Sequence, residues 1–264
     1  MKRQGMDSNN SGALDRLQET FGNEKVSQDV RRKTVRALFD RIAPRYDLMN
    51  DLMSFGMHRY WKHVVARETV GAVGGNQGPI IDLAGGTGDI ALLVERQLPG
   101  RKVIIADASA GMLEVAKRRG GGQVDIFHAE AEAMPVADRS VSAVTLAFGL
   151  RNMADPFGAL KETRRMLEDG GTLLLLEFSK PDAWFAPLYN FYSRFVIPVL
   201  GTIVAGDRSA YRYLIESIRL FPNADDISNE LTRAGFDVVR VRKFVFGVAA
   251  LHVAKCAPMP LVGA

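Results

Sequence analysis

Apolar side chains recur along this chain in two rhythms. Val35, Leu38, Phe39 and Ile42 fall at three- and four-residue intervals, the stripe of an amphipathic helix that Pro44 is placed to end or bend. Two further apolar clusters follow, Met49, Leu52, Met53 and Phe55, then Trp61, Val64 and Val65, before a glycine-rich turn over 71–79. Beyond Pro79, short apolar runs alternate with helical patterns. Strands are predicted at 80–84, 102–107, 124–128, 141–148 and 172–178, with helices at 90–98, 110–118 and 155–167 between them. A helix at 225–234 and strands at 236–244 and 248–254 close the pattern. Such alternation predicts an α/β protein, a parallel sheet with helices on both faces.

The rhythm also divides the chain. Residues 1–30 are polar and aperiodic, and a mobile arm is expected there. Residues 31–70 form an N-terminal helical segment expected to cover the site, and 71–181 the core. An aromatic stretch at 182–222, with Trp184, Phe185, Tyr192, Phe195, Tyr211 and Phe221, is expected to be a helical cap or lid. Residues 223–256 complete the core and 257–264 form a tail. A length of 264 residues suits one domain with a modest insertion.

Composition narrows the classes. With 47% hydrophobic and 24% charged residues, the chain can bury a core and stay in solution. No apolar run reaches the ~20 residues of a spanning helix, and no apolar segment follows Lys2-Arg3 as a secretory signal would. The glycosylation triplet Asn9-Asn10-Ser11 therefore carries little weight. The single cysteine, Cys256, excludes an internal disulfide and fits a reducing cytoplasm. A net charge of +4 is too diffuse to argue for nucleic acid. The histidines are scattered, and no metal site is expected.

The loop Asp82-Leu83-Ala84-Gly85-Gly86-Thr87-Gly88-Asp89 lies between a predicted strand and helix. Glycines there let the backbone turn sharply and approach a nucleotide or nucleoside closely. Asp107 ends the next strand, where a carboxylate accepts from ribose hydroxyls. Glu130-Ala131-Glu132 follows the third strand and can address an adenine edge. Asp82 and Asp89 favour a cationic sulfonium ligand over a pyrophosphate, so S-adenosylmethionine is preferred to NAD. A helix cap for Asp89 and a turn cap for Asp107 are the plain structural alternatives.

Several longer segments resemble the ubiquinone/menaquinone biosynthesis C-methyltransferases, over about Val35 to Lys255. They are Tyr46 to Lys62 (YDLMNDLMSFGMHRYWK), Asp82 to Asp89, Phe148-Gly149-Leu150-Arg151-Asn152, Leu176 to Pro181 and Tyr211 to Ile218. The resemblance implies a Rossmann-like class I fold of S-adenosylmethionine-dependent methyltransferases. The implied reaction is methyl transfer to a ring carbon of a prenylated quinol. It places the cofactor at Thr87, Asp107, Glu130 and Ala131, beside the loop glycines Gly85, Gly86 and Gly88 already read as cofactor-binding, and at the position after Leu146. That position is Ala147 here, often serine in the family, so one side-chain hydrogen bond is missing.

Deprotonating a quinol makes its ring a far stronger nucleophile, so a phenolate stabiliser or base is expected. Arg151 is the candidate stabiliser, with an ion pair to a structural carboxylate such as Asp155 as its plain alternative. Asn152 could position a water, and His58 could act as base, although a packed structural histidine is favoured. Tyr46, Asp51, Tyr192 and Tyr211 are candidate acceptor-lining residues. Lys117-Arg118-Arg119 reads as the charged end of a helix. Peripheral contact with the inner face of a membrane, a homodimer and a quinone-synthesis complex are compatible partners. An NAD-dependent oxidoreductase and a non-catalytic scaffold subunit remain the alternatives.

Overall fold

The computed structural model describes residues 12–120, 122, 124–196 and 208–256. The Asn9 triplet, part of the aromatic insertion (197–207) and the tail lie outside the described residues. Within 12–30, where a mobile arm is expected, the chain is folded. Leu14 and Leu17, beside and in a 3-10 turn (Asp15–Leu17), are buried in the main core. A short hairpin, β1 (Thr20–Phe21) and β2 (Glu24–Lys25), follows, and Phe21 stacks on Tyr213 with ring centroids 4.3 Å apart. Two leucines three residues apart define no periodic face, so pattern alone missed this anchor.

Helix α1 (Gln28–Ile42) is capped by Ser27, whose side chain accepts from the Val30 amide. It buries Val35, Leu38 and Ile42, and Pro44 follows in a 3-10 turn. Helix α2 (Tyr46–Ser54) ends on left-handed Phe55 and Gly56, and α3 (Met57–Val73) begins at once. The core then runs β3 (Ile80–Leu83), α4 (Asp89–Gln97), β4 (Val103–Asp107), α5 (Ala110–Gly120), β5 (Asp125–His128), β6 (Val141–Ala147), α6 (Pro156–Met166) and β7 (Leu167–Phe178). The insertion contributes α7 (Ala186–Phe191), a π-turn (Tyr192–Val196) and α8 (Arg208–Leu220). Helix α9 (Ala224–Arg233), β8 (Phe236–Phe244) and β9 (Ala249–Cys256) complete the sheet.

The sheet order is β5-β4-β3-β6-β7-β9-β8. β9 runs antiparallel to both of its neighbours, so the sheet is mixed where a parallel one is expected. The turn between β8 and β9 is too short for a crossover, and strands so joined must be antiparallel. β7 also starts earlier than predicted. Val141 pairs with Leu167 and Ala143 with Thr172, so Glu168-Asp169-Gly170-Gly171 bulges out within the ladder.

Apolar side chains cover both faces of the sheet. A third cluster joins Val35, Leu38 and Met49 of α1 and α2 to Met112 of α5 and Tyr211, Tyr213 and Leu214 of α8. The N-terminal helices and the insertion thus share one core and form one cap.

Candidate active site

β3 pairs with β4 on one side and β6 on the other, so the chain reverses its direction of travel across the sheet there. Open α/β sheets bind ligands outside the carboxyl ends of strands at such a switch point. Here the loops after β3, β4, β5 and β6 face Val35, Arg36 and Phe39 of α1 and Tyr46 of α2 across a cleft of about 760 Å³, open to solvent. A second recess of about 300 Å³ continues to Lys62, Asp82, Thr87 and Asp89. Tyr46, Ala84, Gly86 and Ala147 line both.

The glycine loop owes its shape to Gly86 (φ 56°) and Gly88 (φ 83°). The left-handed φ of Gly88 favours glycine there, and a Cβ would also press on Ile105 Cδ1 at 2.8 Å. The Gly86 amide donates to Asp107 Oδ2 (2.9 Å), and the Ser109 amide to Asp107 Oδ1 (2.8 Å). Burial pushes the Asp107 carboxyl up to about 6 despite those two amides. Asp107 lines the cleft, so its carboxylate borders a space where ligand hydroxyls could relieve that cost. Asp82, also pushed up to about 6 by burial, accepts from Thr145 Oγ1 (2.6 Å) and the Ala91 amide (3.1 Å).

Asp89 neither caps α4 through its side chain nor stands free to attract a cation. Gly88 occupies the cap position, and the Asp89 carboxylate meets Lys62 Nζ at 2.6 Å and Arg119 at 2.5 Å. Burial opposes its ionisation, but these two cations outweigh it and hold its pKa down at about 2. Arg119, read as part of a charged helix end, instead reaches Asp47 (3.1 Å) and the Thr87 carbonyl (3.2 Å) as well. Thr87 Oγ1 donates to Asp47 Oδ1 at 3.1 Å. These contacts tie α2 to the glycine loop and α5.

The structure brings Gly86, Asp107, Glu130, Ala131 and Ala147 together around the larger cleft. Gly85 and Thr87 line the smaller recess. Glu130 is engaged by Arg36 of α1, and Glu132 accepts from the Asp155 amide at 2.9 Å. Asn152 lines the cleft, where its Nδ2 donates to the Phe148 carbonyl (3.1 Å) and its Oδ1 accepts from Tyr213 (3.1 Å).

Arg151 is placed differently from expectation. It is 5% exposed and lies against the paired rings of Phe148 and Phe178, 5.8 and 5.1 Å from their centroids. Its NH1 donates to Glu177 Oε2 at 2.8 Å and to the Phe148 carbonyl at 2.7 Å. The carboxylate partner is thus Glu177, on the neighbouring strand β7, and not Asp155. Asp155 caps α6 by accepting from the Gly158 amide. Arg151 Nε is buried with no hydrogen-bond partner.

His58 lies on α3, buried, with Nδ1 2.8 Å from Ser54 Oγ. Burial, with Lys62 nearby, pushes its pKa down to about 4, and it lines neither recess. This is the packed structural histidine favoured from sequence. Asp51 is also outside the cleft, gripped by Arg59 through two 2.6 Å bonds. Tyr192 donates to the Leu52 carbonyl (3.2 Å) and so clips the insertion to α2. Tyr211 is core in the cap, its hydroxyl buried without a hydrogen-bond partner. Of the four candidate acceptor residues only Tyr46 lines the site. Lys62 of α3 also belongs to the site, a role its sequence does not display because its partner Asp89, the first residue of α4, is 27 residues away.

A seven-stranded sheet with one reversed strand, a glycine loop at the switch point and a carboxylate ending the next strand define a class I S-adenosylmethionine-dependent methyltransferase. The chain belongs to the ubiE/COQ5 methyltransferase family, whose model matches residues 26–256. It is 44% identical over 237 residues to the ubiquinone/menaquinone biosynthesis C-methyltransferase UbiE of Rubrivivax gelatinosus, covering 90% of this chain and 92% of that protein. It is 41% identical to the mitochondrial 2-methoxy-6-polyprenyl-1,4-benzoquinol methylase of Caenorhabditis elegans, covering 88% and 83%. Among solved structures, the [4+2]-cyclase SpnF shares the fold at 17% identity with a TM-score of 0.62, covering 86% of this chain and 97% of that one. Family membership decides the choice between a methyltransferase and an NAD-dependent oxidoreductase.

Proposed function

We propose that this chain transfers a methyl group from S-adenosylmethionine to a ring carbon of a prenylated quinol. The observation that carries this reading is the two-part cleft. A polar recess floored by the glycine loop opens into a larger space with Phe39, Phe148 and Met153 in its wall. The former suits a charged amino-acid end; the latter suits the adenosine along Asp107 and Glu130-Ala131, and an aromatic acceptor along its apolar wall. The activities for which the bacterial and nematode relatives are named support the acceptor class.

In this reading Asp107 holds the ribose hydroxyls, and Glu130-Ala131 borders the adenine edge. Gly85, Gly86, Thr87 and Gly88 shape the methionine end. Lys62 Nζ is the buried cation of that recess, already 2.6 Å from Asp89, and is assigned to the cofactor's carboxylate. When bound, the cofactor supplies an electrophilic methyl on a sulfonium. The chain's own residues orient the acceptor and exclude water. Tyr46 and the α1 side chains close one wall, and Asn152 sets a polar side chain in the wall of the larger space. Arg151 is assigned to positioning, because Glu177 takes its charge and the pair fixes the Phe148 carbonyl.

The test is direct. Purified protein, the cofactor and a prenylated benzoquinol or naphthoquinol should give a ring-methylated product by mass spectrometry. No product from either acceptor would overturn the reading.

A further inference from the structure

The segment after β6 is held from two sides. Leu150–Asn152 form a 3-10 turn, and Phe148, Asn152 and Met153 line the larger cleft. Arg31 of α1 is buried beside it. Its Nη2 donates to the Arg151 carbonyl at 2.6 Å and its Nε to the Met153 carbonyl at 3.1 Å. A third bond runs to the Thr20 carbonyl. A buried guanidinium bound to carbonyls in this way fixes backbone. Here it fixes the peptide units that flank Asn152, whose own amide donates to the Gly149 carbonyl at 2.9 Å.

With the backbone fixed, Asn152 keeps only the freedom of its side chain, and Tyr213 of α8 removes that. A carbonyl can only accept, so the Phe148 carbonyl selects Nδ2 of Asn152, 3.1 Å away. Oδ1 is thereby turned to the Tyr213 hydroxyl, which donates to it at 3.1 Å. Burial pushes the Tyr213 hydroxyl's pKa up, so it keeps its proton at neutral pH. The phenol ring is itself clamped. It is 2% exposed and stacks on Phe21 with ring planes 15° apart. An amide pinned at both ends has one donor left, the second N–H of Nδ2, in a side chain that lines the cleft.

The geometry points to Tyr213 as a positioning residue for methyl transfer, holding the Asn152 amide so that its remaining N–H meets an oxygen of the bound acceptor. That this oxygen is a quinol's rests on the proposed function. An N–H aimed at a quinol oxygen favours its deprotonated form, the better nucleophile, and fixes the orientation of the ring. Tyr213 touches neither acceptor nor cofactor in this scheme; it acts through Asn152, as groups behind a site hold those in front. The insertion thereby takes part in the chemistry through α8, and not only as a cover.

Tyr213→Phe keeps the ring and its stack on Phe21 and removes only the donor. Its kcat/KM for a prenylated quinol should fall about tenfold, while affinity for S-adenosylhomocysteine stays at the wild-type value. In an Asn152→Ala background the same substitution should cost nothing further, because the group it positions is gone. A packing role alone would lower turnover equally in both backgrounds. The orientation itself is read by NMR on isotope-labelled full chain, without any acceptor. The Asn152 side-chain amide signal, assigned by its loss in Asn152→Ala, should shift and exchange faster with solvent in Tyr213→Phe. Unchanged kcat/KM in Tyr213→Phe overturns the proposal, and so does an equal loss in the Asn152→Ala background. If wild type methylates no quinol, the functional reading falls and the amide signal decides alone. A signal that Tyr213→Phe leaves in place then overturns the positioning role, and one that moves upholds it.

Discussion

Asp107 combines two properties that pull against each other: burial, which pushes its carboxyl up to about 6, and a place in the cleft wall. Accepting hydrogen bonds from ribose hydroxyls favours the ionised form, so binding and ionisation are linked. Because the unliganded pKa is raised, the ionised form dominates only above about pH 6. Affinity for S-adenosylhomocysteine should therefore hold from neutral pH down to about 6 and then fall, by at most about tenfold per pH unit for one proton. Isothermal titration at pH 5 and 7.5 measures the drop. Asp107→Asn should weaken binding at neutral pH by about tenfold, the loss of one charge-assisted bond, and flatten the profile. Lys62 admits a sharper comparison. Lys62→Met should reduce affinity for S-adenosylhomocysteine by about tenfold or more. Affinity for 5′-methylthioadenosine, which lacks the amino-acid end, should stay near wild type. A merely structural Lys62–Asp89 pair would lower both affinities together.

At the scale of elements, α2 closes one wall of the site. Asp47 fastens it to Thr87 and Arg119, and Tyr46 beside it lines both recesses. Both contacts are partly exposed, so each contributes at most about 1 kcal/mol. Asp47→Ala should thus raise the cofactor dissociation constant only a few-fold, and amide exchange over α2 should quicken. Unchanged exchange there would mean that packing alone holds the helix. The strands behind this wall were legible because buried strands write continuous apolar runs, and the glycine loop because its turn needs glycine. Less local features were not. The anchor at Leu14 and Leu17 depends on distant partners, the bulge at Glu168–Gly171 looks like an ordinary turn, and β9's reversed direction follows only from the short link before it. Likewise Arg151 displays its charge in the sequence, but Glu177, 26 residues on, decides where that charge goes. Lys62 and Arg119 are legible as cations and illegible as partners of Asp89 for the same reason.

At the scale of the molecule, the cleft draws its walls from the loops of four strands and from the N-terminal helices, so its shape exists only in the folded chain. A ligand confined to the folded state raises stability by mass action, about 2.7 kcal/mol at one hundred times its dissociation constant. For a domain of this size that corresponds to a rise in Tm of roughly 5–11 °C. S-adenosylhomocysteine should produce such a shift in a thermal melt, and NAD at the same concentration should not. The ends of the fold are fastened as well. Arg233 of α9 meets Asp15 at 3.1 Å and stands over the Phe157 ring at 3.6 Å. The reversed strand β9 has a bearing on how the chain is born. Each strand from β4 to β7 can join a neighbour already synthesised, but β8 emerges before the strand that separates it from β7. Thr172 to Phe178 must keep an open edge until Ala249 to Lys255 arrive. On the ribosome, therefore, the outer edge of β7 stays unpaired until the last strand is made, and β8 finds its place in the sheet only together with that strand.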